Sequence, residues 1–347
     1  MSKPLPPDDL VHVLQHAREA FQSLRGARIF VTGGTGFFGH WLLESLLVAN
    51  HEMGHGARAT VLTRDAAWFR RTSPWIAGDA AITLLEGDVR SFQFPAERHS
   101  YIVHAATDSG GQQPESALAD DILSGTRRVL DFAHQTGTRR LLYVSTGAVY
   151  GRSTSLLHTP ESYLAEAPPL PPESYEGAKR AAEKLCLERG TMGPLEPELD
   201  FPLEAVIARC FAFVGPRLPL DKHFAIGNFI GAAMAGKTIH IKGDGTPRRS
   251  WLYMSDLAAW LWTLLACGEA GRAYNVGSDT GYSIAEAAQL TVEALHPGLP
   301  IRIDGTPVPG ASLNSYVPAI DRARTELGLD VTVPLEEALR RTAKWHE

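Results

Sequence analysis

The chain has 347 residues, of which 44% are hydrophobic, and a formal net charge of -6. This length allows one large domain or two closely associated ones. No run of Lys or Arg exceeds two residues, so nucleic acid and anionic membranes are poor candidate partners. Cys186, Cys210 and Cys267 are too few and too far apart for a disulfide framework. With neither a signal peptide nor a membrane-spanning apolar run, we expect a cytoplasmic protein.

The first half of the chain alternates between apolar strand-like runs and helical patterns, after an amphipathic helix predicted over 9–24. Strands are predicted at 27–32, 57–63, 82–86, 101–106 and 140–146. Helices are predicted at 38–49, 65–71 and 116–136. Apolar strands that alternate with helices predict a parallel sheet covered on both faces.

The pattern changes after residue 150. Proline-rich residues 152–173 are predicted to form a loop, and 191–203 a Pro/Glu-rich connection. Helices are predicted at 174–189 and 224–235, and strands at 204–210, 238–242 and 273–277. The last of these is expected to return to the sheet, whereas the residues after about 217 otherwise predict a smaller second domain.

A glycine-rich turn follows the first predicted strand and opens a helix. Gly34, Gly36 and Gly39 match G-x-G-x-x-G in the strand–turn–helix context that this pattern requires. Glycine lets the backbone approach phosphate oxygens, and the helix N-terminus offers free N–H groups. The turn therefore predicts a dinucleotide site, with cofactor contacts expected from Gly33, Gly36, Phe37, Phe38 and Gly39.

Ligands of such sheets bind at the carboxyl ends of the strands, so further cofactor contacts are expected there. Asp88 and Val89 follow the third strand, where an adenine could bind. Ala105 and Ala106 follow the fourth, where small side chains would let a cofactor lie close.

The end of the second strand bears on the choice between NAD and NADP. An NAD-selective site usually has Asp or Glu there, whereas this chain has Thr63 and Arg64, with Arg70 and Arg71 nearby. Arginine favours a 2′-phosphate, so NADP is at least as plausible as NAD. Asp65 follows at once and could restore a carboxylate, which leaves both cofactors open.

Three residues predict a catalytic site for hydride transfer. Tyr175 and Lys179 are four apart on a predicted helix and share one face. A nearby ammonium group favours the phenolate over the phenol, whose ordinary pKa is about 10. Thr146, at the end of the fifth strand, could donate a hydrogen bond to the substrate oxygen. Tyr175 would then move the hydroxyl proton while a nicotinamide cofactor exchanges hydride.

Taken together, these motifs resemble the extended short-chain dehydrogenase/reductases of the nucleotide-sugar epimerase/dehydratase group. The matching stretches are TGGTGFFG at 32–39, GDV at 87–89, HAA at 104–106, VSTGAVYG at 144–151, YEGAK at 175–179 and GDGTPRRSWLYMSDL at 243–257.

The resemblance implies an α/β fold with a Rossmann-type doubly wound sheet, a C-terminal substrate domain, bound NAD or NADP, and a homodimer packed through two helices. It places the dinucleotide domain at 1–190, with the sheet completed by about 204–216 and 251–278. The substrate domain would comprise 217–250 and 279–347. It also implies that Arg249 contacts the diphosphate of a sugar nucleotide, with Arg217 and Asn228 as weaker candidates.

Departures from the family pattern narrow the reaction. Gly147 and Ala148 stand where sugar 4,6-dehydratases of the group carry an Asp-Glu pair, so dehydration is not expected. The missing glutamate also weakens a uronic-acid decarboxylase assignment. Family asparagines are replaced around Ile122–Gly125 and at Ala212, which leaves the details of substrate binding open.

The remaining chemistry needs only Thr, Tyr, Lys and nicotinamide. The motif set favours 4-epimerisation through a transient ketone, whereas Arg64 favours reduction of a 4-keto sugar by NADPH. A non-catalytic NAD(P) sensor is the alternative from another class, although the intact Thr–Tyr–Lys set argues against it.

Two further motifs are interpreted as coincidences. Residues 231–238 (GAAMAGKT) fit a nucleotide-binding P-loop, but a helix precedes them and a strand follows, which reverses the required order. Residues 51–55 (HEMGH) fit a zinc-protease motif, but we expect them in a solvated turn after a helix that ends near Asn50. No metal site is therefore predicted.

Overall fold

The computed structural model describes residues 3–107, 114–191, 202–222 and 224–347. The chain forms two compact units. The first comprises Met1–Val149, Pro168–Arg209 and Ala258–Tyr274, and the second comprises Tyr150–Ala167, Cys210–Leu257 and Asn275–Glu347. Most of the predicted connection at 191–203 lies outside the described residues.

The strands follow in chain order. They are β1 (Arg28–Thr32), β2 (Arg58–Thr63), β3 (Ile82–Glu86), β4 (Tyr101–His104), β5 (Arg140–Thr146), β6 (Glu204–Cys210), β7 (Phe213–Val214), β8 (Ile239–Ile241), β9 (Arg248–Arg249), β10 (Leu252–Tyr253), β11 (Ala273–Val276), β12 (Tyr282–Ser283), β13 (Ile301–Ile303) and β14 (Ser315–Tyr316). Six of the seven long strands match the predicted ones to within a residue, and β4 ends two residues early.

The helices are α1 (Pro7–His16), α2 (Arg18–Ser23), α3 (Phe37–Met53), α4 (Ala66–Thr72), α5 (Pro74–Ala77), α6 (Glu115–Thr136), α7 (Tyr175–Thr191), α8 (Ala225–Met234), α9 (Met254–Cys267), α10 (Ile284–Leu295), α11 (Asp321–Leu327) and α12 (Leu335–His346). Short 3-10 helices occupy Gly147–Tyr150 and Glu161–Ala165. None of the helices within the described ranges is both long and apolar enough to cross a bilayer.

Seven strands form the sheet of the first unit in the order β3-β2-β1-β4-β5-β6-β11. The pairings of β1 with β2, β1 with β4, β2 with β3 and β4 with β5 are parallel. The chain leaves β1 toward β2 on one side and resumes at β4 on the other, which makes the β1/β4 junction the topological switch point. This arrangement confirms the predicted doubly wound α/β fold.

Buried apolar side chains hold the helices to this sheet. Phe30 on β1 packs against Phe92 and Phe132 with ring centroids 5.3 and 4.6 Å apart. The same cluster includes Tyr143 on β5 and Ala178 on α7, all almost inaccessible to water. This packing fixes the height at which α6 and α7 lie on the sheet, and hence the position of the residues that α7 carries.

Three local predictions differ from the structure. The helix expected over 9–24 breaks at Ala17, where φ is -114°, and continues as α2. The loop expected at 152–173 contains the 3-10 helix at Glu161–Ala165. The helix expected to end near Asn50 continues to Met53 and ends at Gly54, which has a left-handed φ of 55°.

The second unit contains three small sheets, which pair β10 with β7, β12 and β14 with β9, and β13 with β8. Residues 150–167 belong to it, whereas the sequence-based division has them in the dinucleotide domain. The reason is a backbone connection: Thr154 exchanges two N–H···O bonds with Ser315, and the Thr159 N–H donates to Val317 at 2.8 Å.

Candidate functional site

The glycine turn lies against the end of β4. Gly33 has a left-handed φ of 73°, and a Cβ at that position would lie 2.5 Å from the Ala105 carbonyl oxygen. Only glycine fits a backbone approach this close. Gly36, in contrast, is exposed, and a Cβ there would meet only the Gly33 oxygen, at 3.2 Å. The turn therefore has one side closed by β4 and one side open in front of α3.

The start of α3 is built as an anion site. Gly36 precedes the helix with extended backbone and has no side chain that could cap it. Backbone N–H groups at a helix N-terminus and the partial positive charge of the helix dipole favour the binding of an anion. Phe37 and Phe38 begin the helix with partly exposed rings 5.9 Å apart. These features fit the pyrophosphate of a dinucleotide.

A buried histidine joins the turn to the sheet. His104 at the end of β4 lies 2.7 Å from the Thr32 hydroxyl through Nδ1 and 3.1 Å from the Thr126 hydroxyl through Nε2. The Thr32 hydroxyl also accepts the Ala106 N–H at 3.1 Å. Burial, with a contribution from Lys179, lowers the pKa of His104 to about 3, so the imidazole is neutral. His104 therefore connects strands β1 and β4 directly behind the turn.

The predicted adenine contacts follow β3. Arg90 donates to both carboxylate oxygens of Asp88, at 2.7 and 2.9 Å, and reaches Asp121 at 2.5 Å. The Arg90 hydrogen bond is the main reason that the pKa of Asp88 is lowered, and the positive charge of Arg64 adds to it. Val89 packs beside Gly125, where an added Cβ would meet the valine at 2.9 Å. Asp88 is therefore an ionised carboxylate close to arginine side chains.

Arg64 and Asp65 follow the end of β2, and the carboxylate of Asp65 is used in a helix cap. Arg64 is exposed. Asp65 caps α4, because its Oδ1 accepts the Trp68 N–H at 2.7 Å. The residue that could have restored an NAD-type carboxylate thus uses one oxygen to hold a helix.

Thr146 ends β5, and Tyr175 and Lys179 lie one turn apart at the start of α7. Tyr175 is partly buried against the apolar cluster that includes Tyr143, whereas Lys179 is only 3% exposed. The Lys179 ammonium donates to the Val144 carbonyl oxygen at 2.9 Å and lies 4.9 Å from the Tyr143 ring. The structure thus brings Lys179 to the strand that carries Thr146.

The two residues after Thr146, Gly147 and Ala148, carry no acid or base. Gly147–Tyr150 form a 3-10 turn, and the Ala148 N–H donates to the Thr146 hydroxyl oxygen at 3.2 Å. Arg180 on α7 holds this turn by donating to the Val149 carbonyl oxygen at 2.9 Å. Gly147 and Ala148 therefore offer no side chain for acid–base chemistry at the positions where the Asp-Glu pair of sugar 4,6-dehydratases is expected.

A buried ion pair between α7 and β6 was not predicted from the sequence. Arg209 on β6 donates through two nitrogens to Glu183, and the side chains are 4% and 3% exposed. The Ser145 hydroxyl donates to the other Glu183 oxygen at 2.5 Å. Glu183 comes four residues after Lys179 and eight after Tyr175, so the helical spacing could have placed it on the same face. Its partner on β6 could not be found from local sequence.

The three predicted substrate contacts belong to the second unit. Arg249 on β9 is partly buried and donates to the Asn314 side chain at 3.2 Å, with its guanidinium 5.9 Å from the Tyr316 ring. Asn228 on α8 is exposed. Arg217 follows β7 with a φ of 74°, and it is the one non-glycine residue among those described with a left-handed backbone. Such a conformation costs a non-glycine residue about 1–2 kcal/mol.

The two coincidental motifs have structural explanations. Gly236 ends α8 with a φ of 63°, and β8 follows, so residues 231–238 run from helix to strand as predicted. The second histidine of residues 51–55 is not solvated as expected. His55 is buried, with Nε2 on the Phe21 carbonyl oxygen and Nδ1 3.3 Å from the Asn50 side chain. Both ring nitrogens thus serve packing of the N-terminal helices.

Five strand ends of the first unit point to one edge of a parallel sheet, and each carries a predicted contact. In strand order these are the glycine turn, Arg64, Asp88, Ala105 and Thr146. A ligand at the switch point of a doubly wound sheet lies along such an edge. Fold and site together define a nicotinamide-dependent enzyme of the extended short-chain dehydrogenase/reductase type.

Comparison with known proteins identifies the family. Residues 29–277 match the model of the NAD dependent epimerase/dehydratase family, and the chain belongs to this family. UDP-glucuronic acid decarboxylase 6 of Arabidopsis thaliana is 29% identical over 329 residues, which cover 92% of this chain and 88% of the relative. dTDP-glucose 4,6-dehydratase of Streptomyces niveus is 27% identical over 338 residues, covering 92% of each chain.

Solved structures agree on the fold. DesIV, the dTDP-glucose 4,6-dehydratase of Streptomyces venezuelae with NAD and TYD bound, superposes with a TM-score of 0.74 at 26% identity, covering 92% of this chain and 96% of that one. UDP-glucose 4-epimerase of Thermotoga maritima with UDP-glucose gives a TM-score of 0.73 at 20% identity, covering 92% and 98%. The glycine turn and the N-terminus of α3 fit NAD or NADP, which the family uses.

Proposed function

We propose that this protein is an NAD(P)-dependent enzyme acting on a nucleoside-diphosphate sugar, with 4-epimerisation as its reaction. The proposal is supported by the presence of Thr146, Tyr175 and Lys179, the residues expected to transfer the proton, together with the absence of the Asp-Glu pair expected of dehydratases. Tyr175 and Lys179 share the start of α7, with Lys179 bonded to the carbonyl of Val144 beside Thr146. Gly147 and Ala148 then replace the acid–base pair that elimination of water would need.

In this reaction Tyr175 takes the proton from the sugar C4 hydroxyl, and Thr146 donates a hydrogen bond to the same oxygen. The positive charge of Lys179 favours the phenolate, and each pKa unit by which it lowers Tyr175 is worth about 1.4 kcal/mol. The glycine turn and the start of α3 would hold NAD(P), which when bound would accept the hydride from C4 and return it. Tyr175 then returns the proton after the 4-keto sugar has presented its other face.

The substrate class is supported by the relatives and by the second unit. The compared proteins carry the names of enzymes for UDP- and dTDP-linked sugars. Arg249 offers a partly buried guanidinium, whose fork geometry matches phosphate oxygens. Arg217 and Asn228 are the further candidates for substrate contacts.

The test incubates the purified protein with UDP-, dTDP-, CDP- and GDP-sugars, with and without added NADPH. We expect a C4 epimer at substoichiometric cofactor, detected by NMR of the sugar ring. Stoichiometric loss of NADPH absorbance would instead establish a reductase. Nicotinamide binding without turnover of any sugar in the panel would contradict both and support a sensor.

Reduction of a 4-keto sugar by NADPH is the second candidate, and the end of β2 favours it. Asp65 is engaged in capping α4, while Arg64 is exposed and close enough to Asp88 to lower its pKa. Arg64→Ala should weaken NADPH binding about tenfold and leave NADH binding nearly unchanged. Arg58→Ala, which removes an exposed arginine at the opposite, amino end of β2, is the matched control. An equal loss of affinity for NADPH and NADH in Arg64→Ala would contradict a contact between Arg64 and the 2′-phosphate.

We also propose a cytoplasmic homodimer, as the family resemblance implies. The packing of α6 with α7 in the first unit gives two adjacent long helices for such an interface. Light scattering on the purified protein measures the mass directly, and a particle of 37.7 kDa would exclude the dimer.

A further inference from the structure

The buried pair of Glu183 and Arg209 has no part in proton or hydride transfer as described above. Its charges are almost completely removed from water, with 3% and 4% of the side chains exposed. Burial of two charges costs desolvation free energy that their attraction often only balances, so such a pair is a poor source of stability. Stability alone therefore does not explain why this ion pair is buried at this position.

Glu183 connects three elements at one point. Arg209 of β6 donates from Nε and Nη2 to its carboxylate at 2.8–3.2 Å. The Ser145 hydroxyl of β5 donates to Oε1 at 2.5 Å. Both oxygens of the carboxylate are thus held, and the rotamer of Glu183 on α7 is fixed from two strands.

The contact lies one helical turn from the lysine. Lys179 and Glu183 are four residues apart, about 6 Å along the axis of α7. Their partners on β5 are neighbours, since Lys179 donates to the Val144 carbonyl and Glu183 accepts from Ser145. Two contacts at successive turns fix both the height and the rotation of α7 against β5. Tyr175 lies one turn further along the same helix face, and Thr146 is the next residue of the strand.

We propose that Ser145, Glu183 and Arg209 are positioning residues that hold Lys179 and Tyr175 in register with Thr146. The proposal rests on the function proposed above, because it assigns these residues to the same proton-transfer set. Glu183 acts through α7 and Ser145 through β5, and Arg209 balances the carboxylate that would otherwise be a buried, unpaired charge.

A pH profile can detect this role, because a displaced ammonium group stabilises the phenolate less. The titratable and charged groups around Lys179 and Tyr175 come from four elements of the first unit: His104 on β4, Tyr143 on β5, Glu183, Arg180 and Cys186 on α7, and Arg209 on β6. Burial lowers the pKa of His104 and raises those of Tyr143 and Cys186, so these three stay neutral near pH 7. Tyr175 is the group expected to titrate.

The experiment measures the pH dependence of kcat and KM for wild type and Ser145→Ala. This variant removes one hydroxyl and leaves the Glu183–Arg209 pair intact. We expect kcat to fall several-fold with KM nearly unchanged, and the acid limb of the profile to move upward by half a pH unit or more. Ser145→Thr, which keeps a hydroxyl, should restore the wild-type profile. If Ser145→Ala does not fold, Ser145→Cys keeps the volume with a weak donor and replaces it.

Thr138→Ala is the matched control. Thr138 precedes the same strand, is equally buried, and donates its hydroxyl to the His99 carbonyl at 2.9 Å. It should lower thermal stability without moving the acid limb. A Ser145→Ala profile that superposes on wild type, or an equal shift in Thr138→Ala, would overturn the proposal.

A second measurement separates this proposal from the proposed function. Tyrosinate absorbance of the protein with bound NAD(P), minus that of Tyr175→Phe, gives the Tyr175 titration without any substrate. Wild-type protein that turns over no sugar nucleotide defeats the proposed function alone. An unchanged Tyr175 titration in Ser145→Ala defeats the positioning role alone.

Discussion

The two units hold their candidate functional groups in different ways. In the first unit, Lys179 is 3% exposed, bonded to the backbone of β5 and carried by a 17-residue helix. In the second unit, Arg249 stands on a two-residue strand, and Arg217 occupies a strained position between short elements. The residues proposed for the chemistry thus lie on long elements, whereas the groups proposed to choose the substrate lie on or between short ones. Such short elements change with little effect on the core, so substrates can diverge while the reaction set is kept.

The largest effect is expected from Tyr175→Phe, which removes the proton-transfer group and leaves the ring that packs against the apolar cluster. Turnover should fall by about 10²–10⁴-fold, while the Kd for NAD(P) changes little. Tyr101→Phe, at the amino end of β4, is the control and should retain turnover. Steady-state kinetics and cofactor titration measure both quantities. Full activity of Tyr175→Phe would reject the proposed mechanism.

Gly33→Ala tests whether the close approach of the glycine turn to the end of β4 contributes to stability. The new Cβ would meet the Ala105 carbonyl oxygen at 2.5 Å with φ at 73°, so backbone must move. We expect a loss of about 3 kcal/mol in the free energy of unfolding, together with weaker cofactor binding. Gly54→Ala shares a positive φ, 55°, but has open space, and should cost about 1 kcal/mol. Denaturant unfolding compares the two, and equal losses would show that the close approach to β4 is not what matters.

Arg249→Ala tests the second unit. Loss of a partly buried guanidinium should raise KM for the sugar nucleotide about 30-fold, or about 2 kcal/mol, with kcat less affected. Arg302→Ala, an exposed arginine of β13 that bonds Asp304, is the control and should leave KM unchanged. A fall in kcat with constant KM would show that Arg249 belongs with the reaction set instead.

The smallest effect is expected from Arg217→Gly. This variant should be more stable than wild type but bind the substrate more weakly. Glycine relieves the left-handed backbone, so stability should rise by about 1 kcal/mol, while loss of the side chain weakens substrate binding. Arg217→Ala loses the side chain but keeps the strain, so it should weaken binding without the gain. Thermal unfolding and substrate titration of both variants check this. Equal melting temperatures for Arg217→Gly and Arg217→Ala would show that the backbone at position 217 is not strained.

Local signals predicted the elements that position the reaction set. Apolar strands, the glycine turn and four-residue spacing depend on neighbours in sequence, so β6 and α7 were located to within two residues from sequence alone. Contacts between distant residues were not accessible in this way. The Glu183–Arg209 pair spans 26 residues, the bond between Thr32 and His104 spans 72, and the burial of His55 depends on a helix 34 residues earlier.

The positive φ of Arg217 and the helix break at Ala17 were also not predicted from the sequence. Nothing in the residues around Arg217 demands a positive φ, and the break of the N-terminal helix at Ala17 has no glycine or proline to mark it. Local preference alone thus does not predict the backbone at these two places. The residues proposed to contact the substrate were predicted through the family resemblance, whereas the roles proposed for Thr146, Tyr175 and Lys179 also followed from their own chemistry.

His104 makes the first unit sensitive to acid. In the folded chain the pKa of this imidazole is about 3, against an ordinary value of 6.5, so only the unfolded chain takes up the proton between these limits. Stability is therefore fully present above about pH 6.5 and falls by up to about 1.4 kcal/mol for each pH unit below it. The histidine that ties β1 to β4 behind the glycine turn would thus make the chain easier to unfold as the pH falls.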